Sequence, residues 1–139
     1  MGELFDREEK NSEDATDEGP HVTNAMMLVT PASLGTKASG SVFVNLIGHL
    51  EDAEDVSFGA CWRVHWSYNG TTASIKRVTT ISAPYYDTEL IASGFPSIGF
   101  EPTIITVDGC PHIAVAFGGV NGQIVDVDLK CNFLQVGGA

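Results

Sequence analysis

Cys61-Trp62-Arg63-Val64-His65-Trp66-Ser67-Tyr68, followed by Asn69-Gly70-Thr71-Thr72 and then Ala73-Ser74-Ile75-Lys76-Arg77-Val78-Thr79-Thr80-Ile81-Ser82, is the stretch that decides the fold. Trp62, Val64, Trp66 and Tyr68 alternate with Arg63, His65 and Ser67. Successive side chains of a strand point to opposite faces, so this spacing puts the large apolar groups on one face. Asn69-Gly70 then suits a two-residue type I′ turn, which needs residues that tolerate positive φ. In the returning strand Ile75, Val78 and Ile81 are spaced by three. A β-bulge near Lys76-Arg77 would bring both apolar ends back to the core. The β-branched run Thr79-Thr80-Ile81 argues against a helix there.

The last third of the chain reads the same way. Thr103 to Val107 leads through Asp108-Gly109 into His112 to Phe117, and Gly118-Gly119-Val120-Asn121-Gly122 turns the chain again. Val125, Val127, Leu129, Cys131 and Phe133 then alternate with Asp126, Asp128, Lys130 and Asn132, a half-buried strand. Upstream, His21 to Val29 reads as a first strand, Pro31 to Gly40 as a loop and Ser41 to Leu50 as a second strand. That second strand carries Val42, Val44, Leu46 and Leu50 on one face and the mixed set Phe43, Asn45, Ile47 and His49 on the other. Pro84 to Pro102 has little periodicity and reads as a long ordered loop, with at most a short strand over Glu89–Ala92. Evenly spaced strands with Gly, Asn and Asp turns give roughly seven to nine strands in an all-β, antiparallel β-sandwich or jelly-roll-like domain.

The 139 residues suit one such domain, and 43% apolar residues with 15 glycines fit a turn-rich β protein. The net charge of −11 argues against a nucleic-acid partner. No run approaches the ~18 apolar residues of a membrane helix, and the N-terminus has no basic stretch leading into an apolar one, as a secretory signal would. Residues 1–20 hold eight acids against Arg7 and Lys10, a net of −6, and have only Leu4 and Phe5 as large apolar groups. They read as an extended acidic arm, solvated or docked on a neighbouring subunit through Leu4 and Phe5, ahead of the sandwich domain at 21–139.

The residue types used in catalysis and metal binding fall in patterns with plainer explanations. Cys61, Cys110 and Cys131 make neither a CxxC pair nor an even disulfide set and read as buried thiols in a chain made in a reducing compartment. Cys110-Pro111-His112 lacks a third group to orient a thiol-imidazole pair. His21, His49, His65 and His112 lack metal-site spacing and read as outward surface groups, even if His65 and His112 were cross-strand neighbours. Glu51-Asp52-Ala53-Glu54-Asp55 has no calcium-loop pattern. Asp126 and Asp128 sit on one strand face about 7 Å apart, a glycosidase pair in distance only. Asn69-Gly70-Thr71 matches a glycosylation sequon that the hairpin explains fully, and Gly118 to Gly122 has no helix after it to bind phosphate. The sequence therefore points to no enzyme, cofactor or metal.

From about Ser41 to Val136 the order of features resembles the small β-sandwich domains of tailed-phage virion surface proteins, namely tail fibre and spike terminal domains and capsid decoration proteins. The likeness is carried by the strand Ser41–Leu50, the acidic loop, Trp62-Arg63-Val64-His65-Trp66-Ser67-Tyr68-Asn69-Gly70, the turn at Ile105–Gly109 and the closing strand. It implies a class of function and no role for a single residue. That class is a non-enzymatic structural protein located on the virion, a homo-oligomer and expected trimer, decorating or cementing the particle against the major capsid or tail protein. A chain of this length with its own Met1 fits a separately encoded accessory. The alternative the resemblance allows is an adhesion module that binds a host glycan through Tyr85, Tyr86, Trp66 or Phe95. Aromatics are enriched at interfaces, so the candidate contact residues are Leu4, Phe5, Phe43, Tyr85, Tyr86 and Phe95; the plainer reading of Tyr85-Tyr86 and Phe95-Pro96 is that they plug the end of the sandwich.

Overall fold

The structure is a computed structural model that describes the backbone of residues 4–137 and the side chains of residues 15–134. Its strands are β1 (Leu4–Ala15), β2 (His21–Val22), β3 (Met26–Met27), β4 (Ala38–Leu50), β5 (Ala53–Tyr68), β6 (Ala73–Tyr86), β7 (Ile98–Val107), β8 (Cys110–Gly118) and β9 (Val125–Gly137). A 3₁₀ turn, Pro31–Ser33, precedes β4, and a short helix α1, Thr88–Ser93, separates β6 from β7. All pairings are antiparallel. One sheet runs β1-β9-β4-β5-β6; in the other, β8 is central, with β7 on one edge and β2 and β3 on the opposite edge. Two such sheets packed face to face make the expected all-β sandwich.

The alternation in the sequence sets which face is buried. Val42, Val44 and Leu46 of β4, Val56 to Tyr68 of β5 at even positions, and Val125 to Phe133 of β9 at odd positions all face the core. Ile113, Val115 and Phe117 of β8 close it from the second sheet. At one end Phe58, Tyr86, Phe95, Phe100 and Phe117 pack as a ring cluster, with Phe58–Phe95 centroids 4.9 Å apart and Phe100 stacked on Phe117 at 5.0 Å. Such pairs add roughly 0.5–1.5 kcal/mol each beyond their buried area.

Several local expectations are corrected. The first strand is not continuous over His21–Val29 but is split into β2 and β3. Between them Thr23 takes over part of the ladder: its N–H donates to the Val115 carbonyl at 3.0 Å and its Oγ1 accepts the Val115 N–H at 3.0 Å. The β5–β6 connection is not a two-residue turn. Tyr68 pairs with Ala73, leaving four residues, and the Asn69 side chain accepts the N–H groups of Thr71 and Thr72 at 2.8 and 2.7 Å. The type I′ conformation lies instead at Asp108-Gly109, both at positive φ (50° and 79°), between paired Val107 and Cys110.

The bulge in β6 is present, because His65 pairs with Arg77 and Trp66 with Ile75, so Lys76 is the extra residue. It does not return Val78 and Ile81 to the core, however. β6 is the sheet edge and both residues are exposed, with a second bulge at Ile81. Glu89–Ala92 is helix, not strand. Asp87 occupies the N-cap position, Gly94 ends the helix in the left-handed conformation, and Leu90 is fully buried beneath it.

Candidate interaction surface

The alternation that buries one face of the large sheet leaves the other open. Strand register sets its cross-strand rows. Asn132, Phe43, Arg63 and Thr79 form one, Lys130, Asn45, Cys61 and Ser82 the next, and Asp128, Ile47, Gly59 and Tyr85 a third. Phe43 is 40% exposed, Ile47 61% and Tyr85 63%. Gly59 has no side chain, so the row between Ile47 and Tyr85 is open to a partner group. The Arg63 guanidinium carbon lies 5.7 Å from the centroid of the Phe43 ring, a cation–π contact. Arg63 Nε is buried without a hydrogen-bond partner.

Polar pairs frame this face. Ser41 Oγ and His65 Nδ1 are 2.8 Å apart, and His49 Nε2 lies 2.9 Å from Asp126 Oδ2. At the β6 end Asp87 ties two elements together. Its carboxylate accepts the Ser57 N–H at 2.7 Å and the Tyr85 hydroxyl at 2.8 Å. The Ser57 N–H, and after it the Tyr85 hydroxyl, hold the Asp87 carboxyl below its ordinary value. The same bond to Asp87, with its charge, raises the Tyr85 phenol. Burial pushes the Cys61 thiol up, which disfavours the reactive thiolate.

The expected contact residues divide by strand phase. Phe43 and Tyr85 share the open face. Tyr86, next in the chain, turns inward, half-buried and stacked on Phe100, and burial raises its phenol. Phe95 is only 2% exposed and plugs the ring cluster, so it presents no contact surface; Trp66 is likewise buried in the core. The side chains of Leu4 and Phe5 lie outside the described residues; their backbones pair with Val136 and Gln135 in β1–β9. His112 is buried in β8, not outward, and its Nδ1–H donates to the Cys110 carbonyl at 2.8 Å. It lies in the other sheet from His65. Among the described residues no group of three or more His, Cys, Asp or Glu side chains is placed to hold a metal ion.

Arg63 and Ile47 join this surface without having been singled out in the sequence. The available signal was their phase: Arg63 alternates with Trp62 and Val64, and Ile47 shares the mixed face of Phe43. The charge around them is segregated. Residues 19–50 and 56–86 contain no Asp or Glu but hold Lys37, Arg63, Lys76 and Arg77. β1, at the opposite edge of the same sheet from β6, carries Asp6, Glu8, Glu9, Glu13 and Asp14.

No family model matches the chain, and no curated protein matches it. Two solved structures are similar to it in fold. One is the tailspike protein of Acinetobacter phage vB_ApiP_P1, 18% identical with a TM-score of 0.47, covering 88% of this chain and 21% of that one. The other is the tailspike protein of Acinetobacter baumannii phage AM24, 10% identical with a TM-score of 0.41, covering 94% and 26%. The chain thus spans about a fifth to a quarter of the length of either tailspike.

Proposed function

We propose that the chain is a non-enzymatic structural protein of a bacteriophage virion that assembles with copies of itself, as a trimer, and decorates or cements the particle surface. The observation that carries the self-association is the open face of the large sheet, where the Phe43–Arg63 stack, Ile47 and Tyr85 lie exposed together. Aromatic and Arg side chains of this kind are enriched at binding hot spots. The partner is a second copy because the two edges of that sheet differ in charge: β1 is rich in acids, and the only charged residues of β6 are Lys76 and Arg77. An acidic edge meeting a basic edge is a head-to-tail contact, the kind that closes into rings. The three bulges of β6 favour contact through side chains over a continued ladder. The virion assignment rests on the sequence resemblance described above.

Light scattering of the chain with and without residues 1–20 tests this reading. A trimer that is lost or weakened without the segment, while the urea midpoint of the remaining domain is unchanged, supports the acidic edge as a subunit contact. A trimer in both forms keeps the virion reading and reserves the segment for docking on the particle. A monomer in both forms overturns self-association and leaves an isolated binding module.

A further inference from the structure

A depression of about 350 Å³ opens where β4, β5 and β6 meet, lined by Ser39, Gly40, Ser41, His65, Trp66, Ser67, Lys76 and Leu134. We propose that it is a binding site for an oxyanion group, a carboxylate or a phosphate ester, on a small ligand. Three observations converge on that chemistry.

The first is a fixed imidazole. Ser41 is only 8% exposed, and its Oγ lies 2.8 Å from Nδ1 of His65. With the hydroxyl donating to Nδ1, the proton of a neutral imidazole sits on Nε2, which leaves an N–H to donate to a ligand. Burial of Ser41 means that the ring is held before any ligand arrives, which lowers the ordering cost of binding.

The second is the bulge. Lys76 is the extra residue between the pairs His65–Arg77 and Trp66–Ile75. Bulges re-aim a side chain out of the regular alternation. Here that brings a cation to the rim of a depression already carrying the Ser39 and Ser67 hydroxyls. Arg77, opposite His65, adds a second positive charge alongside.

The third is the field. In a chain of net charge −11, residues 19–50 and 56–86 have no carboxylate at all. By register the acid in the same row is Asp6, across Leu134 and Ser41 from His65. Three strand spacings put its backbone about 14 Å from that of His65. Among the lining residues a cation and several neutral donors stand without a carboxylate, the composition that favours an oxyanion.

The test uses the full chain, titrated with sodium phosphate and separately with sodium acetate at constant ionic strength, and read by amide NMR shifts. Saturable shifts at Ser39, His65 and Ser67 are expected. Lys76→Ala should weaken them by about tenfold, the loss of one charge-assisted contact. Lys130→Ala, on the same open face but away from the depression, should leave them unchanged. Both lysines are exposed, so both variants should fold. Saturation by phosphate alone assigns the site to phosphate esters, and saturation by acetate, alone or as well, to carboxylates. The absence of saturable shifts with either ion, or equal weakening by both lysine variants, overturns the proposal.

Discussion

The ring of Phe58 lies across Gly48 on the neighbouring strand, so closely that a Cβ at Gly48 would collide with the ring and with the Asp126 carbonyl. Trp66 covers Gly40 in the same way eight residues along, 3.0 Å from where a Cβ would sit. An aromatic laid over a cross-strand glycine shields backbone that would otherwise be open and lets the sheet curve around its core. Both aromatics belong to the inner face of β5.

Gly48→Ala should therefore destabilise the domain by about 1–3 kcal/mol, the usual cost of overpacking where backbone must give. The Asp126 carbonyl is fixed by the β4–β9 pairing and cannot swing away as a side-chain tip would. Urea unfolding midpoints of wild type and variant measure the difference. A change within a few tenths of a kcal/mol would show that the sheet relaxes at no cost and that the glycine is incidental.

Thr23 carries a second such dependence, this time on a hydrogen bond. Thr23→Val keeps the shape but leaves the buried Val115 N–H without its 3.0 Å acceptor. An unsatisfied buried donor costs about 1–3 kcal/mol. Thr23→Ser, which keeps the oxygen, should recover most of the loss. Amide hydrogen exchange at Val115 gives a local readout, with faster exchange expected in the valine variant only.

How much of this was legible beforehand follows from burial. The alternation in β5 and β9 could be read because one face of each is buried and the other open, so period two is imprinted on composition. β6 hid its character because it is an edge. With most of its residues exposed and none fully buried, Val78 and Ile81 carried no information about the core. Helix α1 is six residues long and is held by one buried leucine and a glycine cap, too short for a periodic signal. The open face needed register as well as phase. Phe43 lies beside Arg63, and Ile47 in the row of Tyr85, only because β4, β5 and β6 pair as they do. For Phe95 the sequence allows both a contact residue and a plug at the end of the sandwich, because nothing in a loop sequence distinguishes the two; its burial in the ring cluster makes it the plug.

Acid should expose the role of Asp87. Its carboxyl is held low in the folded chain, so it contributes stability that is fully present above its unfolded value of 3.8. That contribution is lost as pH falls through the lowered folded value. Wild type should therefore lose stability below about pH 4, and Asp87→Asn should show a shallower acid limb and a lower plateau. On the alkaline side the raised Tyr85 phenol has the opposite sense: its contribution is present below about pH 10 and lost as pH rises through its folded value. Urea midpoints across a pH series check both limbs. Parallel curves for wild type and variant would mean that the Asp87 bonds contribute nothing net.

The open sheet face makes the sharpest functional prediction. Ile47→Asp and Phe43→Asp place a charge on a surface that is already exposed in the single chain, so neither should cost the fold more than a few tenths of a kcal/mol. If that face is buried between copies, each introduces a desolvated charge with no partner, and association should weaken by at least about 2 kcal/mol, some thirtyfold. Ile98, equally exposed but on β7 of the other sheet, supplies the control: Ile98→Asp should leave association unchanged. Sedimentation velocity over a concentration series, with unfolding midpoints recorded in parallel, separates the two effects. Equal association of all three variants and wild type would place the subunit contact elsewhere, whereas loss in the Ile98 variant alone would move it to the smaller sheet.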